Sequence, residues 1–391
     1  MSAWIGGIIE RFGGRPPGSA AEAAAQTWLA QEWSAWCDAV ETQPFIAALE
    51  AKFHALKWFC RAFYLCLALY WVSLPAATLL AALNAILFLG HFVAYRDWLD
   101  PLYRRSPSLN VIGTLEPSEP AQHTILIAGH MDSVYEFQWW YRLGHWGAVL
   151  TVASGFLIGL QPVFYGLAWG LRLSGTTAGH LLGALFVLLA PITVVYFSLH
   201  GPTLVDGAID NLSGLAIADA VGRHFAQARA QGRGLRRTRL RLISFGSEEA
   251  GLKGSYAYAR AHVAQLREER AVLVNVDSIK SAESLFIATS EPNLLVRYPP
   301  WLVARLSAAF QAVGVPVQTA AVTIGASDGA SFARRGLPAV TIFGLNPKRL
   351  DPTYHTRLDT LANLDPAALT AVERALIQFI EAWDQAQLAP P

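Results

Sequence analysis

Cysteine and charge are both scarce in this 391-residue chain. The three cysteines, Cys37, Cys60 and Cys66, cannot form a disulfide framework, and no two of them have the Cys-x-x-Cys spacing of a cysteine-based zinc site. Charged residues make up 15% of the chain, and the net charge of +1 gives no basic field that would attract nucleic acid. The apolar fraction of 53% excludes a disordered chain. So much apolar surface requires either a very large core or membrane-spanning segments.

The apolar residues are concentrated in stretches that contain no Asp, Glu, Lys or Arg. Three such stretches cover residues 62–95, 143–171 and 173–205. A spanning helix needs about 20 mostly apolar residues. The second and third stretches therefore predict one membrane hairpin, with spans over residues 146–171 and 178–199.

The first stretch predicts a second hairpin, with spans over residues 56–73 and 75–95. The first of these spans requires that Lys57 and Arg61 extend their charged ends to the membrane interface. Aromatic residues cluster at the ends of the stretches, as they do at membrane interfaces: Trp58, Trp98, Trp139, Trp140, Tyr141 and Trp146. The alternative to both hairpins is two pairs of buried core helices.

The rest of the chain alternates short β-branched segments with helical ones, which is typical of an α/β domain with a doubly wound sheet. We predict strands over residues 124–128, 240–245, 272–276 and 339–343. We predict helices over residues 20–37, 212–227, 254–266, 300–313 and 366–387.

Five polar motifs lie at or near the ends of these elements, where ligands bind in open α/β sheets. They cover residues 129–133, 207–211, 247–255, 275–278 and 354–360. Histidine and carboxylate ligands without cysteine suit a catalytic zinc site, and two metals together can clamp the reacting groups of a hydrolysis. Taken singly, each residue has a structural alternative: Asp210 could cap a helix and Glu248-Glu249 could be a surface pair. The agreement of all five motifs favours the metal site.

These motifs resemble those of the co-catalytic zinc peptidases of the MH clan, which includes bacterial leucyl aminopeptidases and the glutamate carboxypeptidase group. The resemblance begins at Arg15-Pro16-Pro17-Gly18-Ser19, which is similar to the family's R-x-x-G-S opening, passes through residues 110–113, and reaches Ser327-Asp328, Phe332 and residues 336–339. It implies an α/β fold, a mixed and mostly parallel sheet flanked by helices, into which the two transmembrane helical hairpins are inserted.

The resemblance also implies a role for each motif residue. Asp210 would bridge two zinc ions, with His130 and Asp277 completing one site and Glu249 and His355 the other. Glu248 would be the general base and acid, and Asp132 would hydrogen-bond the ring of His130. The implied reaction is hydrolysis of a peptide bond by a water molecule that the zinc ions acidify.

Two positions and one segment leave the substrate open. Gly329 stands where the family often has a histidine close to the substrate. Lys280, soon after Asp277, could attract a substrate carboxylate or simply be exposed. Residues 297–301 could line a pocket or enter the membrane interface.

The hairpins fall inside the catalytic domain rather than beside it. We predict a catalytic domain made of residues 1–50, 109–140 and 204–391, with hairpins at 51–108 and 141–203. Lys and Arg near the span ends are unevenly distributed, because Arg172 is alone on the far side and seven lie on the catalytic side: Lys52, Lys57, Arg61, Arg96, Arg104, Arg105 and Arg142. This favours an integral protein of the bacterial inner membrane with a cytoplasmic catalytic domain. The apolar run at residues 4–9 is too short for a signal peptide.

The sequence therefore predicts a membrane-anchored dinuclear zinc exopeptidase, with an aminopeptidase as the leading assignment and a peptide as the substrate. A glutaminyl-cyclase-like acyltransferase would use one zinc, so the metal count separates it from the peptidase. A carboxypeptidase or dipeptidase for acidic substrates would need a basic residue such as Lys280. A non-catalytic binding module would have no need of Glu248. Pairing of the hairpins with a second copy of the chain remains open.

Overall fold

The computed structural model describes residues 1–347 and 349–385. Within these ranges the helices are α1 Ser2–Phe12, α2 Ala20–Ser34, α3 Ala51–Tyr70, α4 Leu74–Leu87, α5 Gln138–Leu143, α6 His145–Gly170, α7 Thr177–Leu189, α8 Ser213–Ala230, α9 Lys253–Glu268, α10 Pro300–Ala312, α11 Asp328–Ala333 and α12 Pro366–Gln385. The last two residues of the predicted helix 366–387 lie outside the described residues.

The strands are β1 Ala39–Ala47, β2 Ser106–Leu115, β3 His123–His130, β4 Tyr135–Phe137, β5 His200–Leu204, β6 Thr238–Phe245, β7 Val272–Asp277, β8 Phe286–Glu291, β9 Val296–Arg297, β10 Gln318–Ala321 and β11 Ala339–Phe343. Contacts along the chain divide it into two compact units. We call Met1–Leu49, Arg105–Tyr135 and Thr203–Pro391 the sheet unit, and Glu50–Arg104 with Glu136–Pro202 the helical unit.

The sheet unit is built on a mixed sheet with the strand order β1-β2-β6-β3-β7-β11-β8-β10, and β9 pairs with β8. Its four central strands, β6, β3, β7 and β11, run parallel. Every residue of β3, β7 and β11 is buried, which explains their mostly apolar sequences. Each of the four predicted strands lies within one of these central strands.

Local sequence signals explain where the helices next to the sheet begin. Ser19 caps α2, because its hydroxyl accepts a hydrogen bond from the main-chain N–H of Glu22 (3.1 Å). Near the start of α8 the side chain of Asn211 accepts from the N–H of Gly214 (3.1 Å). Asn211 therefore takes the capping role that was the alternative for Asp210.

The helical unit contains long apolar helices that follow one another through short turns. α4 continues as wider helical turns over Phe88–Val93, and α7 continues as tighter turns over Ala190–Phe197. Buried amides bind main-chain oxygens across helices: Asn84 donates to Phe59 (3.0 Å) and Gln161 to Phe63 (3.2 Å). These two amides thus point inward, whereas large apolar side chains such as Val72 (83% exposed) and Leu188 (76%) point outward.

Three helices in the described part of the chain are long and apolar enough to cross a membrane: Leu74–Val93, His145–Gly170 and Thr177–Phe197. They correspond to three of the four predicted spans. The fourth prediction, residues 56–73, falls on α3, which is not among the three because the charged residues Lys57 and Arg61 lower its hydropathy.

Candidate metal centre

The carboxyl ends of three neighbouring parallel strands bring the first site residues together. His130 ends β3 and Asp277 ends β7. Glu248 and Glu249 lie in the turn that follows β6, and β6 runs in register with β3, so that Phe245 is opposite His130. Parallel neighbouring strands end at the same edge of a sheet, and the four side chains therefore meet there.

Asp210 reaches this edge from the segment before α8. The carboxylate of Asp359 accepts hydrogen bonds from the main-chain N–H groups of Ile209 (2.6 Å) and Asp210 (3.1 Å) and so fixes this segment. The peptide bond between Asp210 and Asn211 is cis. The carboxylate of Asp210 faces two imidazole rings.

The two histidines contact opposite oxygens of Asp210. Nε2 of His130 lies 3.1 Å from Oδ1, and Nε2 of His355 lies 3.3 Å from Oδ2. His355 is also 3.3 Å from Oε1 of Glu249, and His130 is 3.9 Å from Oε2 of Glu248. Two groups of three have ligand atoms within 4.8 Å of one another: His130, Glu248 and Asp277, and His130, Asp210 and Glu249. All six residues predicted to act on metal or water are thus in one place.

Asp132 supports the site chiefly through the backbone. Its carboxylate accepts hydrogen bonds from the N–H groups of Glu248 (3.0 Å) and Glu249 (2.9 Å). Nδ1 of His130 lies 3.1 Å from the main-chain oxygen of Asp132 and 3.4 Å from its Oδ1. Asp132 therefore positions both glutamates, and the ring of His130 is held more closely by its main-chain oxygen than by its carboxylate.

The electrostatics of the site fit a bound cation. The six residues are between 1% and 7% exposed. Burial raises the pKa of Glu249, and it raises the pKa values of Glu248 and Asp277 well above their usual range. Four carboxylates around two imidazoles leave buried negative charge, which a divalent cation would offset. Oxygen and imidazole donors without sulfur are the set that a catalytic Zn²⁺ prefers.

The two histidines and Asp210 influence one another. Burial opposes protonation of His355, but the carboxylates of Glu249 and Asp210 raise its pKa to about 10. Burial likewise opposes protonation of His130, whose pKa the carboxylates around it raise well above the usual value. Burial alone would raise the pKa of Asp210, but its hydrogen bonds to the two histidines lower it. Asp210 is thus the carboxylate of this cluster that is held most firmly in its charged form.

Two residues of the N-terminal segment support the site in ways that the sequence did not reveal. Arg15 is fully buried and donates to the main-chain oxygens of Met131 (2.8 Å), Asp206 (2.9 Å) and Gly13. Glu22 accepts from the N–H of Ser247 (2.6 Å). Both lie in or directly after the R-x-x-G-S opening, which was the only signal that could have indicated them. The supporting role of Asp359, which lies within the fifth motif, was likewise not predicted from the sequence.

The structure answers two questions that the sequence left open. Lys280 is paired with Asp351, its Nζ lying 2.6 and 2.8 Å from the two carboxylate oxygens. Tyr298 is buried and donates to Glu291 (2.5 Å), which in turn accepts from Ser327 (2.5 Å). Tyr298 therefore belongs to the interior of the sheet unit and not to a membrane interface.

Comparison with known proteins supports the same class of site. Residues 191–380 match the sequence model of Peptidase family M28. Aminopeptidase NAALADL1 of Mus musculus is 28% identical over 216 residues, which are 48% of this chain and 28% of that protein. Leupeptin-inactivating enzyme 1 of Streptomyces exfoliatus is 25% identical over 219 residues, which are 51% of this chain and 48% of that protein. The chain thus spans less than half of the length of each of these curated relatives.

Solved structures share the fold over nearly the whole chain. A zinc aminopeptidase from Bacillus subtilis superposes with a TM-score of 0.58 at 15% identity, covering 99% of this chain and 95% of that one. A glutaminyl cyclase of Porphyromonas gingivalis superposes with a TM-score of 0.56 at 15% identity, covering 98% and 96%. The predicted family resemblance and the predicted mixed sheet flanked by helices are both confirmed.

Proposed function

We propose that this chain, which carries a domain of peptidase family M28, is a membrane-anchored exopeptidase that removes N-terminal residues from peptides with the help of two zinc ions. The observation that carries the proposal is the placement of Asp210, whose two oxygens lie 3.1 and 3.3 Å from the Nε2 atoms of two different histidines. A carboxylate that faces two histidines in this way is placed to bridge a pair of metal ions of the kind that clamp a hydrolysis.

The remaining ligands divide between the two histidines. Asp277 belongs with His130, and Glu249 belongs with His355, its nearest imidazole. Glu248 also lies among these donors, but its Oε2 is 3.9 Å from Nε2 of His130, farther than Oδ1 of Asp210. We therefore assign Glu248 to proton transfer. When bound, the zinc ions would acidify water and polarise the scissile carbonyl.

Glu248 is held where a proton acceptor is needed. Its main-chain N–H is fixed by Asp132, and its side chain is buried at the carboxyl edge of the sheet. Oε2 of Glu248 would take the proton of the attacking water and later give it to the leaving amine. Asp132 positions this residue and its neighbour Glu249 and does not itself exchange the proton.

Two observations favour removal of residues from the N-terminus over the C-terminus. The Bacillus subtilis structure and the mouse relative are both described as aminopeptidases. A carboxypeptidase for acidic substrates would need a free cation for the substrate, but Nζ of Lys280 is neutralised by Asp351. These two observations together support the aminopeptidase assignment.

A panel of peptides tests this assignment. We expect release of the first residue from peptides with a free α-amine, and none from the same peptides when the N-terminus is acetylated. Release from the C-terminus of an acetylated peptide would instead establish a carboxypeptidase.

The second candidate is a cyclase-like acyl transfer, since a glutaminyl cyclase shares the fold. Cyclisation of N-terminal glutamine together with about one zinc per chain would establish it.

We expect His355→Ala to lose one zinc ion and keep the other. The substitution removes an imidazole that contacts Asp210 and Glu249 but leaves His130 and Asp277 in place. Metal analysis of the dialysed variant should give about half of the wild-type zinc content. His224→Ala, which changes a histidine of α8 outside the site, should keep the full content. Full zinc content in His355→Ala would remove this residue from the ligand set.

The pairing of strands supports a membrane anchor with four crossings. Ala47 is opposite Ser106 in the pair of β1 and β2, so the chain leaves and re-enters the sheet unit at adjacent residues. The N–H of Val205 likewise donates to the oxygen of Val134 across the second insertion (3.0 Å). Each insertion must therefore cross a membrane an even number of times. If α4 crosses the membrane, α3 must cross it as well to keep the number of crossings even. The 20 residues of α3 span about 30 Å, which is long enough to cross the hydrocarbon core.

We expect the sheet unit to face the cytoplasm, because all basic residues of the insertions except Arg172 stand, along the chain, towards the points where it leaves and re-enters the sheet unit. New cysteines placed in a Cys37→Ser background, in which the remaining Cys60 and Cys66 are buried, test this orientation in intact cells. A membrane-impermeant maleimide should label Ser174→Cys, in the exposed turn between α6 and α7, and should spare Glu268→Cys on α9. Labelling of Glu268→Cys from outside would reverse the orientation.

A further inference from the structure

Four exposed cations lie at one end of the helical unit. The ring of Phe53, in the first turn of α3, lies 6.1 Å from Phe92, 5.8 Å from Phe137 and 4.2 Å from His200. The beginning of α3, the end of the helix that continues α4, the beginning of α5 and the segment after α7 therefore meet at this end. The exposed basic side chains on these segments, which we call the basic belt, are Lys57, Arg61, Arg96 and Arg142.

The opposite end of the helical unit carries almost no charge. There the hydroxyl of Tyr70 donates to the oxygen of Gly179 (2.7 Å), and the ring of Trp71 stacks on His180. Arg172 is the only Asp, Glu, Lys or Arg in residues 143–205, and residues 62–95 contain none. The charge of the unit is therefore concentrated at the basic belt.

The cations of the basic belt have no carboxylate partner. None of the four forms an ion pair within the described part of the chain. By contrast, arginines of the sheet unit are neutralised by neighbouring acids, as Arg237 is by Glu119 (2.7 Å) and Arg241 by Glu269 (2.6 Å). Asp100 and Glu136, which lie on the same segments as the belt, are buried, whereas Glu50 and Asp97 are exposed. The four exposed cations of the belt outnumber these two exposed acids, so this end of the unit presents net positive charge outward.

Exposed indole rings accompany the belt. Trp58, Trp98 and Trp146 are 60%, 53% and 70% exposed, although tryptophan is a costly side chain to leave in water. The guanidinium of Arg61 lies 4.5 Å above the ring of Trp58. Tryptophan and arginine together are typical of the headgroup level of a bilayer, where the ring meets the acyl boundary and the cation meets phosphate.

We propose that the basic belt binds the headgroups of anionic phospholipids, in preference to zwitterionic ones, in the membrane leaflet that surrounds this end of the helical unit. The proposal rests on the membrane anchoring proposed above. Four unpaired cations attract a net negative surface, whereas the phosphate of phosphatidylcholine is already neutralised by its own choline. The three exposed tryptophans favour a lipid over a soluble anion as the ligand of the basic belt.

A lipid titration of the purified full-length chain in neutral detergent tests the proposal. We expect phosphatidylglycerol to raise the Tm, and phosphatidylcholine to raise it much less. Each Lys→Gln or Arg→Gln substitution in the belt should increase the phosphatidylglycerol concentration needed for half of the shift about fivefold. The matched control Arg172→Gln removes a cation from the uncharged end and should change nothing. Glycerol phosphate, the soluble headgroup, should give no shift.

The outcomes separate this inference from the earlier proposals. Flotation with phosphatidylcholine vesicles reports anchoring, and hydrolysis of a peptide in detergent reports the metal centre. If both succeed and the belt variants respond to phosphatidylglycerol as the wild type does, the belt is not a lipid site. An equal shift with glycerol phosphate would establish a soluble anion as the ligand. Single variants that remain folded but no longer prefer phosphatidylglycerol to phosphatidylcholine would support the basic belt as the binding site for anionic lipid.

Discussion

Glu248→Gln is expected to retain its zinc and to lose about a hundred- to ten-thousandfold in kcat. The amide has nearly the same shape as the carboxylate and keeps the main-chain hydrogen bond to Asp132. It cannot take a proton from water, however, so the attacking hydroxide would not form. Zinc content by metal analysis and turnover of a peptide with a free N-terminus are the two measurements.

The control for Glu248→Gln is Glu268→Gln, which makes the same change on the exposed face of α9. It should leave both zinc content and kcat unchanged. Loss of zinc in Glu248→Gln would show that Glu248 is a ligand, as its place in one of the three-residue groups allows. Full activity would show that another group takes the proton.

Asp210→Asn is expected to have the largest effect on the metal content, because one side chain contacts both histidines. The neutral amide offers one oxygen where the carboxylate offers two. We expect less than half of the wild-type zinc to remain after dialysis, and a loss of at least about a thousandfold in kcat/KM, since a metal stabilises the transition state by several kcal/mol.

Asp206→Asn is the matched control for Asp210→Asn. Asp206 lies on the same segment and binds Arg15 through its main-chain oxygen, which the substitution leaves in place. Its zinc content should equal that of the wild type. Retention of both zinc ions by Asp210→Asn would mean that the two metal sites are independent, and it would remove the basis of the bridging assignment.

The central strands could be predicted from the sequence because they are buried on both faces. β3, β6, β7 and β11 appear as runs rich in apolar and β-branched residues, in spite of Arg241 in β6 and Asn275 in β7, and all four predictions fall on them. The short strands β8, β9 and β10 were not predicted. β9 has two residues and β10 is exposed or half-exposed throughout, so neither has a clear apolar signature.

The acidic and histidine residues of the site could also be predicted, because each lies in a short motif next to a strand or helix. The residues that position them could not. Arg15 binds Met131 across 116 positions of the chain, and Asp359 holds Ile209 across 150. Both act on main-chain groups, which leave no mark on the sequence of the partner segment.

The strand pairs at the two insertions have a practical consequence. Ala47 and Ser106 lie opposite each other, and Val134 binds Val205, so each insertion occupies the place of a short turn between paired residues. A two-residue Asn-Gly turn has the geometry to close such a pair. If the proposed anchor and the proposed metal centre are right, they are separable parts of one gene product, and we expect two excisions that leave the candidate metal donors untouched to yield a water-soluble enzyme.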